Sequence, residues 1–218
     1  MDLPAAISIL EKFTQGDLTR TLSRLEGRAS GLHVGACADF LSRGGIDPDV
    51  LRAASEIKRV AGQINVTIHA LGIFMCLPHI LEQGETVQYV SLGAGNTGRK
   101  FDLETNRRIA EFKFISWRGG AESIRQNGIF KDYFELLNEP TEKRKYLYLL
   151  GTQHALKFFN GSRALDSVLS KNAKTNSRFR EVYGERYSKV REFFDDHRDA
   201  VKVEDVSAWV AGLVASED

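Results

Sequence analysis

The fold is decided by residues 87–118, which read VQYVSLGAGNTGRKFDLETNRRIAEFKFISWR. Residues 87–92 are β-branched and aromatic between flanking glycines, a pattern that predicts a buried strand. Residues 100–103 form a second short apolar alternation, which predicts another extended segment. The polar residues 104–108 predict a turn, and the renewed alternation over residues 109–116 predicts the return arm of a hairpin.

The return arm places charged residues together. Its alternation puts Ala110, Phe112 and Phe114 on one face. Glu111 and Lys113 then share the opposite face, about 7 Å apart by strand rise. Asp102 comes from the adjacent arm and is expected to point into the same space. Converging carboxylates hold a hard divalent cation through their oxygen atoms, and a nearby lysine orients or deprotonates a water molecule.

Asp102 followed by Glu111-Phe112-Lys113 resembles the core of the PD-(D/E)xK nuclease superfamily, which includes many restriction endonucleases and the archaeal Holliday junction resolvases. The resemblance covers roughly residues 64–160 and rests on a short motif supported by the order helix, three-strand meander, helix, strand. It implies an α/β (α+β) fold of the restriction endonuclease-like class, with a mixed central sheet flanked by helices. It also implies hydrolysis of phosphodiester bonds in nucleic acid, with DNA as the expected substrate.

The resemblance assigns roles to the residues that match the motif. Asp102 and Glu111 would bind Mg²⁺ (or Mn²⁺), the backbone carbonyl of Phe112 would add a ligand, and Lys113 would serve the attacking water. Resolvase-like members also carry a glutamine near the start of the following helix, which Gln126 matches in type. Ser116 matches a small polar residue that often follows the lysine. Without the resemblance, Gln126 is an ordinary exposed helix residue.

The first helix of the core is expected over residues 64–82, buried on most sides. Many members of the superfamily carry an acidic residue inside this helix, but none lies in its middle here. Glu82, at the end of the helix, is the possible additional acid. His69 lies on the same helix, and we expect a hydrogen-bonded core histidine there in preference to one that faces the site.

The remaining sequence predicts three regions. Residues 1–62 form an N-terminal helical region that ends at Gly62, residues 63–165 form the nuclease-like core, and residues 166–218 form a C-terminal helical extension. Within the core, an amphipathic helix is expected over residues 121–137 and a buried strand over residues 146–150.

Basic residues form two candidate nucleic-acid contacts. The net charge of the chain is only +1, so any surface for a polyanion must be local. The predicted contact residues are Arg99, Lys100 and Arg118 beside the hairpin and Lys174, Arg178 and Arg180 in the basic run of residues 171–191. Such a run is also typical of a solvated helix face.

A competing motif overlaps the hairpin. The segment from Gly93 to Gly98 satisfies G-x-G-x-x-G, the fingerprint of dinucleotide-binding enzymes. That motif requires a helix that opens at its third glycine. The dozen or so residues between Gly98 and Glu111 are too few for a helix, a loop and a strand, so the nucleotide-cofactor enzyme is the weaker alternative. A catalytically inactive module that retains the nuclease fold to bind nucleic acid or protein is the stronger one.

Bulk properties indicate an ordinary globular protein. The chain has 218 residues, 42% of them hydrophobic, enough for one sizeable core. Cys37 and Cys76 are far apart in apolar surroundings, which indicates buried free thiols. The start of the chain lacks the pattern of a signal peptide, and residues 64–81 contain polar groups that disfavour a membrane span. We therefore expect a cytoplasmic protein without a membrane partner. The resemblance adds a homodimer as an alternative to the monomer, because nucleases of this superfamily are often dimers.

Overall fold

The computed structural model describes residues 1–92, 100–115, 117 and 122–213. Contacts between residues divide the chain into two compact units, Met1–Asn65 and Val66–Asp218. The boundary lies inside one long helix. Every residue of the predicted motif belongs to the second unit, as do residues 166–213, which the sequence set apart as an extension.

The first unit is helical. It contains α1 (Leu3–Thr14), α2 (Leu18–Ala29), α3 (Val34–Gly44) and the beginning of α4 (Pro48–Ile80). Three of these helices start with an aspartate whose side chain accepts a hydrogen bond from the backbone N–H three residues later, which satisfies an amide that the helix leaves unpaired. These caps are Asp2, Asp17 and Asp47, each at 2.9 Å.

Helix α4 runs without interruption from Pro48 to Ile80, so the break predicted at Gly62 is wrong. A glycine inside a helix costs only about 1 kcal/mol relative to alanine and keeps its backbone N–H and C=O in the hydrogen-bond ladder. The flanking residues are compatible with a helix, and nothing lies within 4 Å of where a Cβ on Gly62 would stand. The penalty is therefore too small to end the helix.

Only one side of α4 is buried in the second unit, which corrects the expectation of a helix covered on most sides. Ile73 and Cys76 are fully buried and pack against the sheet. Leu71 and Met75, on another side of the helix, remain 57% and 52% exposed. By length and composition α4 is the single helix among the described residues that could cross a membrane.

The second unit is built on a five-stranded mixed sheet in the order β1-β2-β3-β4-β5. The strands are β1 (Val87–Val90), β2 (Leu103–Thr105), β3 (Arg108–Lys113), β4 (Arg144–Leu149) and β5 (Lys202–Asp205). The first three pair antiparallel, while β3 with β4 and β4 with β5 pair parallel. The predicted mixed α/β fold, with helices beside a mixed sheet, is confirmed.

The predicted hairpin is present, but its first arm lies further along the chain. β2 begins at Leu103, which pairs with Ala110, and Glu104 pairs with Ile109. Only two residues separate β2 from β3, whereas the sequence predicted a turn of five. Asp102 consequently lies immediately before β2 and is not among the residues of that strand that pair with β3.

Two apolar layers cover the sheet. On one face lie α5 (Ser123–Leu137), α6 (Gln153–Phe159), α7 (Leu165–Leu169), α8 (Ala173–Tyr183) and α9 (Val190–His197). On the other face lie α4 and the 3-10 helices Ser207–Trp209 and Ala211–Leu213. Along β3, Ala110 and Phe112 face the α4 layer, and Ile109 faces the α5 layer. Because side chains alternate along a strand, Glu111 and Lys113 share the side of Ile109.

Candidate functional site

The site is organised around the end of β3. Glu111 and Lys113 leave the strand on the same side, and the Lys113 Nζ lies 2.7 Å from the Glu111 Oε1. Their side chains are 16% and 31% exposed. The ion pair therefore lies in a recess that solvent reaches only in part, where water weakens electrostatic attraction less than at an open surface.

Asp102, the third residue of the predicted group, contacts the backbone of β3. Its Oδ2 accepts a hydrogen bond of 2.9 Å from the backbone N–H of Phe112, the residue between Glu111 and Lys113. The N–H and C=O of one strand residue point to the same side of the strand, so the carbonyl of Phe112 is also directed toward Asp102. Asp102 is thus held at the backbone of the residue between Glu111 and Lys113, and its charge acts on both of those side chains.

His69 of α4 also reaches this group. Its Nε2 lies 3.2 Å from the Asp102 Oδ1, and its ring packs edge-on against Phe114 with centroids 6.0 Å apart. We expected a hydrogen-bonded core histidine instead of a residue facing the site. The imidazole is hydrogen-bonded, but its partner is the first acid of the site, and its side chain is 26% exposed.

Asp132 of α5 is the site residue that sequence reasoning missed. Its Oδ2 lies 3.2 Å from the Lys113 Nζ, and only 9% of its side chain is exposed. A signal was present in the sequence. Asp132 stands three residues after Ile129 and four before Leu136, both buried, so helical periodicity places a carboxylate in the apolar stripe of α5. A buried acid in such a stripe requires a cationic or hydrogen-bonding partner.

Three carboxylates and one ammonium shape the electrostatics. Burial raises the pKa of Glu111 to about 7; Lys113 opposes this, while the charges of Asp102 and Asp132 add to it. For Lys113, burial lowers the pKa, but the attraction of Asp132, Glu111 and Asp102 outweighs burial and raises the pKa above its ordinary value. Lys113 is therefore an ammonium, and the group carries an excess of negative charge that favours a cation.

Glu82 does not belong to the site. It follows the end of α4 and contacts Arg108, Arg107 and Arg144, with the Arg144 Nη1 2.5 Å from its Oε1. Arg108 is the first residue of β3 and Lys113 is the last, so the arginine that Glu82 contacts lies about 16 Å from Lys113 by strand rise. The additional acid that the sequence suggested at Glu82 therefore stands at the wrong end of the strand.

Gln126 is not brought to the three motif residues either. Its Oε1 accepts a hydrogen bond from the Arg163 Nη1. Gln126 precedes Asp132 by six residues, a rise of about 9 Å and a rotation that points the two side chains in different directions from α5. A supporting role for Gln126 would have to act through Arg163.

Several of the predicted nucleic-acid contact residues are already paired with other groups of the protein. Ser116, Arg99 and Arg118 lie outside the described residues. Lys100 forms an ion pair with Glu139. In α8, Arg180 pairs with Asp166 and Glu185, and the Arg178 Nη2 donates to the Asn138 carbonyl. Lys174 is exposed. The basic run is thus partly neutralised, by Asp166 from outside the run and by Glu185 from within it.

His69 and Asp102 are two neighbouring side chains that could each serve as a cation ligand. Within the ranges that the structure describes, no three His, Cys, Asp or Glu side chains already converge as a complete ligand set. To complete such a set with His69 and Asp102, the Glu111 side chain would have to turn away from Lys113.

Comparison with protein-family models, with curated proteins and with solved structures gives no significant match. Function is therefore inferred from the chemistry of His69, Asp102, Glu111, Lys113 and Asp132 alone.

Proposed function

We propose that the protein is a metal-dependent phosphodiesterase that cleaves nucleic acid, with DNA as the expected substrate, and that its second unit is a restriction endonuclease-like core. The order α4, β1, β2, β3, α5, β4 corresponds to the helix, meander, helix and strand of that class. The observation that carries the proposal is that Asp102 is anchored on the backbone N–H of Phe112, while the two strand neighbours of Phe112, Glu111 and Lys113, form an ion pair with each other. This arrangement combines acids for a cation with an ammonium for a water or a phosphate.

Each residue has a chemical role in this proposal. Asp102, Glu111 and the Phe112 carbonyl would hold Mg²⁺ or Mn²⁺, and His69 is placed to contribute its Nε2. When bound, the cation supplies charge that acidifies water and offsets the charge of the phosphate. The Lys113 ammonium lies beside the same carboxylates and orients the attacking water or a phosphate oxygen. The backbone of Phe112 fixes the direction of the Asp102 carboxylate before substrate arrives.

Plasmid nicking tests the proposal. Supercoiled DNA is incubated with the full chain and Mg²⁺ or Mn²⁺, and EDTA serves as the metal-free control. We expect nicking by the wild-type protein that EDTA abolishes. Lys113→Ala should lower the rate by about 10²-fold, the usual cost of losing a group that orients the reactants.

Lys58→Ala is the matched control, since it removes an exposed lysine of the first unit, outside both the predicted site and the basic run. It should cleave at the wild-type rate. Failure of the wild-type protein to cleave single-stranded or duplex DNA or RNA with either metal, together with no Mn²⁺ binding that depends on Asp102, would overturn the proposal.

A non-catalytic module is the second candidate. It is favoured by the ion pairs that already occupy Lys113 and by the incomplete ligand set among the described residues. Such a module would shift nucleic acid in a gel equally with EDTA and with Mg²⁺, without cleavage. Metal-dependent cleavage that Lys113→Ala abolishes rules this candidate out.

The nucleotide-cofactor enzyme has little support. Residues 93–98, which carry the glycine motif, lie outside the described residues. The chain directly after them forms β2 and β3, and no helix occurs over residues 100–113. A dinucleotide-binding loop requires a helix there to meet the pyrophosphate.

A further inference from the structure

Lys113 is held by two acids that come from different elements. Glu111 lies two residues earlier on the same strand, and its Oε1 is 2.7 Å from the Lys113 Nζ. Asp132 approaches from α5, and its Oδ2 is 3.2 Å from the same nitrogen. A single carboxylate would be enough to balance the charge of one ammonium. The presence of a second acid beside Lys113 therefore requires a separate explanation.

Asp132 occupies a position that an apolar residue would fill at lower cost. It lies on the buried stripe of α5 between Ile129 and Leu136, and its side chain is 9% exposed. Removing a charge from water is unfavourable unless a partner compensates it. Its other cationic neighbour, Lys131, is 3.8 Å away and 40% exposed, so Lys113 is the closer and less exposed partner.

The two acids differ in what else they can reach. Glu111 is close enough to Asp102 for the Asp102 charge to raise its pKa, so a cation held by Asp102 would draw Glu111 away from the lysine. Asp132 contacts Lys113 and Lys131 and has no contact with Asp102 or His69 among the described residues. Its hold on the ammonium does not compete with a metal ligand.

We propose that Asp132 is a positioning residue that keeps the Lys113 ammonium in place when Glu111 turns to a divalent cation. The inference rests on the proposed function, because the turn of Glu111 matters only if a cation binds. It predicts that the two acids are interchangeable holders of the lysine in the metal-free protein. With the cation bound, only Asp132 holds it.

Nuclear magnetic resonance of the lysine ammonium group tests this without any measurement of cleavage. Ammonium protons give a ¹H–¹⁵N correlation when an ion pair slows their exchange with water. Four proteins are compared: wild type, Glu111→Gln, Asp132→Asn and the double variant. We expect the Lys113 signal in the first three and its loss in the double variant. After addition of Mg²⁺ it should persist in wild type and disappear in Asp132→Asn.

Loss of the signal in Glu111→Gln alone would overturn the inference, since Asp132 would then not hold the lysine. Persistence in Mg²⁺-loaded Asp132→Asn would overturn it as well. Glu135→Gln is the matched control, because Glu135 lies on the same helix and pairs with Lys131 at 3.7 Å. It should leave the Lys113 signal unchanged. Asp132→Glu retains a carboxylate and should retain the signal with Mg²⁺.

Metal affinity and single-turnover cleavage form the second arm. Asp132→Asn should bind Mn²⁺ within about threefold of wild type, because Asp132 is not a ligand. Its cleavage rate should fall by about 10 to 100, the usual effect of removing a residue that orients a catalytic group. Asp132→Glu should recover part of that rate. A Mn²⁺ affinity at least about tenfold weaker in Asp132→Asn would make Asp132 a ligand and overturn the inference. If wild type neither cleaves nor binds Mn²⁺ through Asp102, the proposed function fails, and the ammonium signals still decide whether Asp132 holds Lys113.

Discussion

The Asp102 carboxylate accepts a hydrogen bond of 2.9 Å from the backbone N–H of Phe112. Asp102 lies one residue before the start of β2, whereas Phe112 still belongs to β3. The side chain takes the place that a strand residue would otherwise occupy as hydrogen-bond acceptor. The same atoms that serve the proposed chemistry therefore also satisfy a backbone amide next to the buried ring of Phe112.

Substitutions at Asp102 should separate these two roles. Asp102→Asn retains an oxygen that can accept the Phe112 N–H, so the free energy of unfolding should fall by no more than about 1 kcal/mol. Asp102→Ala leaves that amide without its acceptor and should cost about 1 to 3 kcal/mol. Urea denaturation followed by circular dichroism measures both. Equal losses in the two variants would show that the hydrogen bond does not stabilise the sheet.

Gly72 and Gly62 on α4 should respond in opposite directions to alanine. A Cβ on Gly72 would stand 2.7 to 2.9 Å from ring atoms of Phe114, so Gly72→Ala must displace that ring and should cost about 1 to 3 kcal/mol. Gly62 has nothing within 4 Å of the same position, so Gly62→Ala should add about 0.5 to 1 kcal/mol through helix propensity. Thermal melts of the two variants test the contrast, and destabilisation by Gly62→Ala would contradict it.

Acid stability should depend on Glu85. Burial alone would raise its pKa, but hydrogen bonds from Arg108, Thr105 and the backbone of Glu82 outweigh burial and lower the pKa from 4.5 to about 2. Because the folded pKa is the lower one, this stabilisation is complete above about pH 4.5 and disappears as the pH falls toward 2. Denaturation midpoints should therefore decline over that window in wild type.

Glu85→Gln should lose part of that pH dependence. It should also lose about 3 kcal/mol at pH 7, since it leaves the buried guanidinium of Arg108 without its charged partner. Glu82→Gln, which alters an exposed partner of the same arginine, is the control and should have a much smaller effect. An unchanged acid transition in Glu85→Gln would show that other carboxylates govern acid unfolding.

The two cysteines should differ in reactivity. Burial raises the pKa of the Cys76 thiol to about 11 and shields it from reagents. Cys37 is only half-buried. Ellman's reagent at pH 8 should therefore modify one thiol per folded chain and the second only after unfolding. In Cys37→Ser no fast phase should remain; a fast phase in that variant would mean that Cys76 is accessible. The expectation that both thiols are buried holds for Cys76 alone.

Local sequence patterns predicted the parts of the fold that depend on near neighbours. Alternation identified β3 and the face shared by Glu111 and Lys113, and the apolar run after residue 145 identified β4. The beginning of β3 was missed because Arg108 looked like part of a polar turn. It is buried because Glu85, 23 residues earlier, accepts two hydrogen bonds from its guanidinium. A contact at that separation leaves no trace in local composition.

The edge strand β5 was also missed. Its sequence is Lys-Val-Glu-Asp, and its first and last residues are exposed, so it lacks the apolar alternation that marks a strand with one covered face. Its position is set by parallel pairing with β4, a tertiary interaction. Asp132 is a different case. Helical periodicity already placed its carboxylate in the apolar stripe of α5, and only the identity of its partner, Lys113, had to come from the structure.

The surplus of acids around Lys113 has a consequence for folding. The charges of Asp102, Glu111 and Asp132 all act on one ammonium at a partly exposed site, so their mutual repulsion disfavours the compact state. A divalent ion that settles there relieves this repulsion, and a ligand that binds only the native chain shifts the unfolding equilibrium by mass action. The melting temperature of this protein should accordingly rise with the concentration of the divalent ion, whether or not any substrate is present.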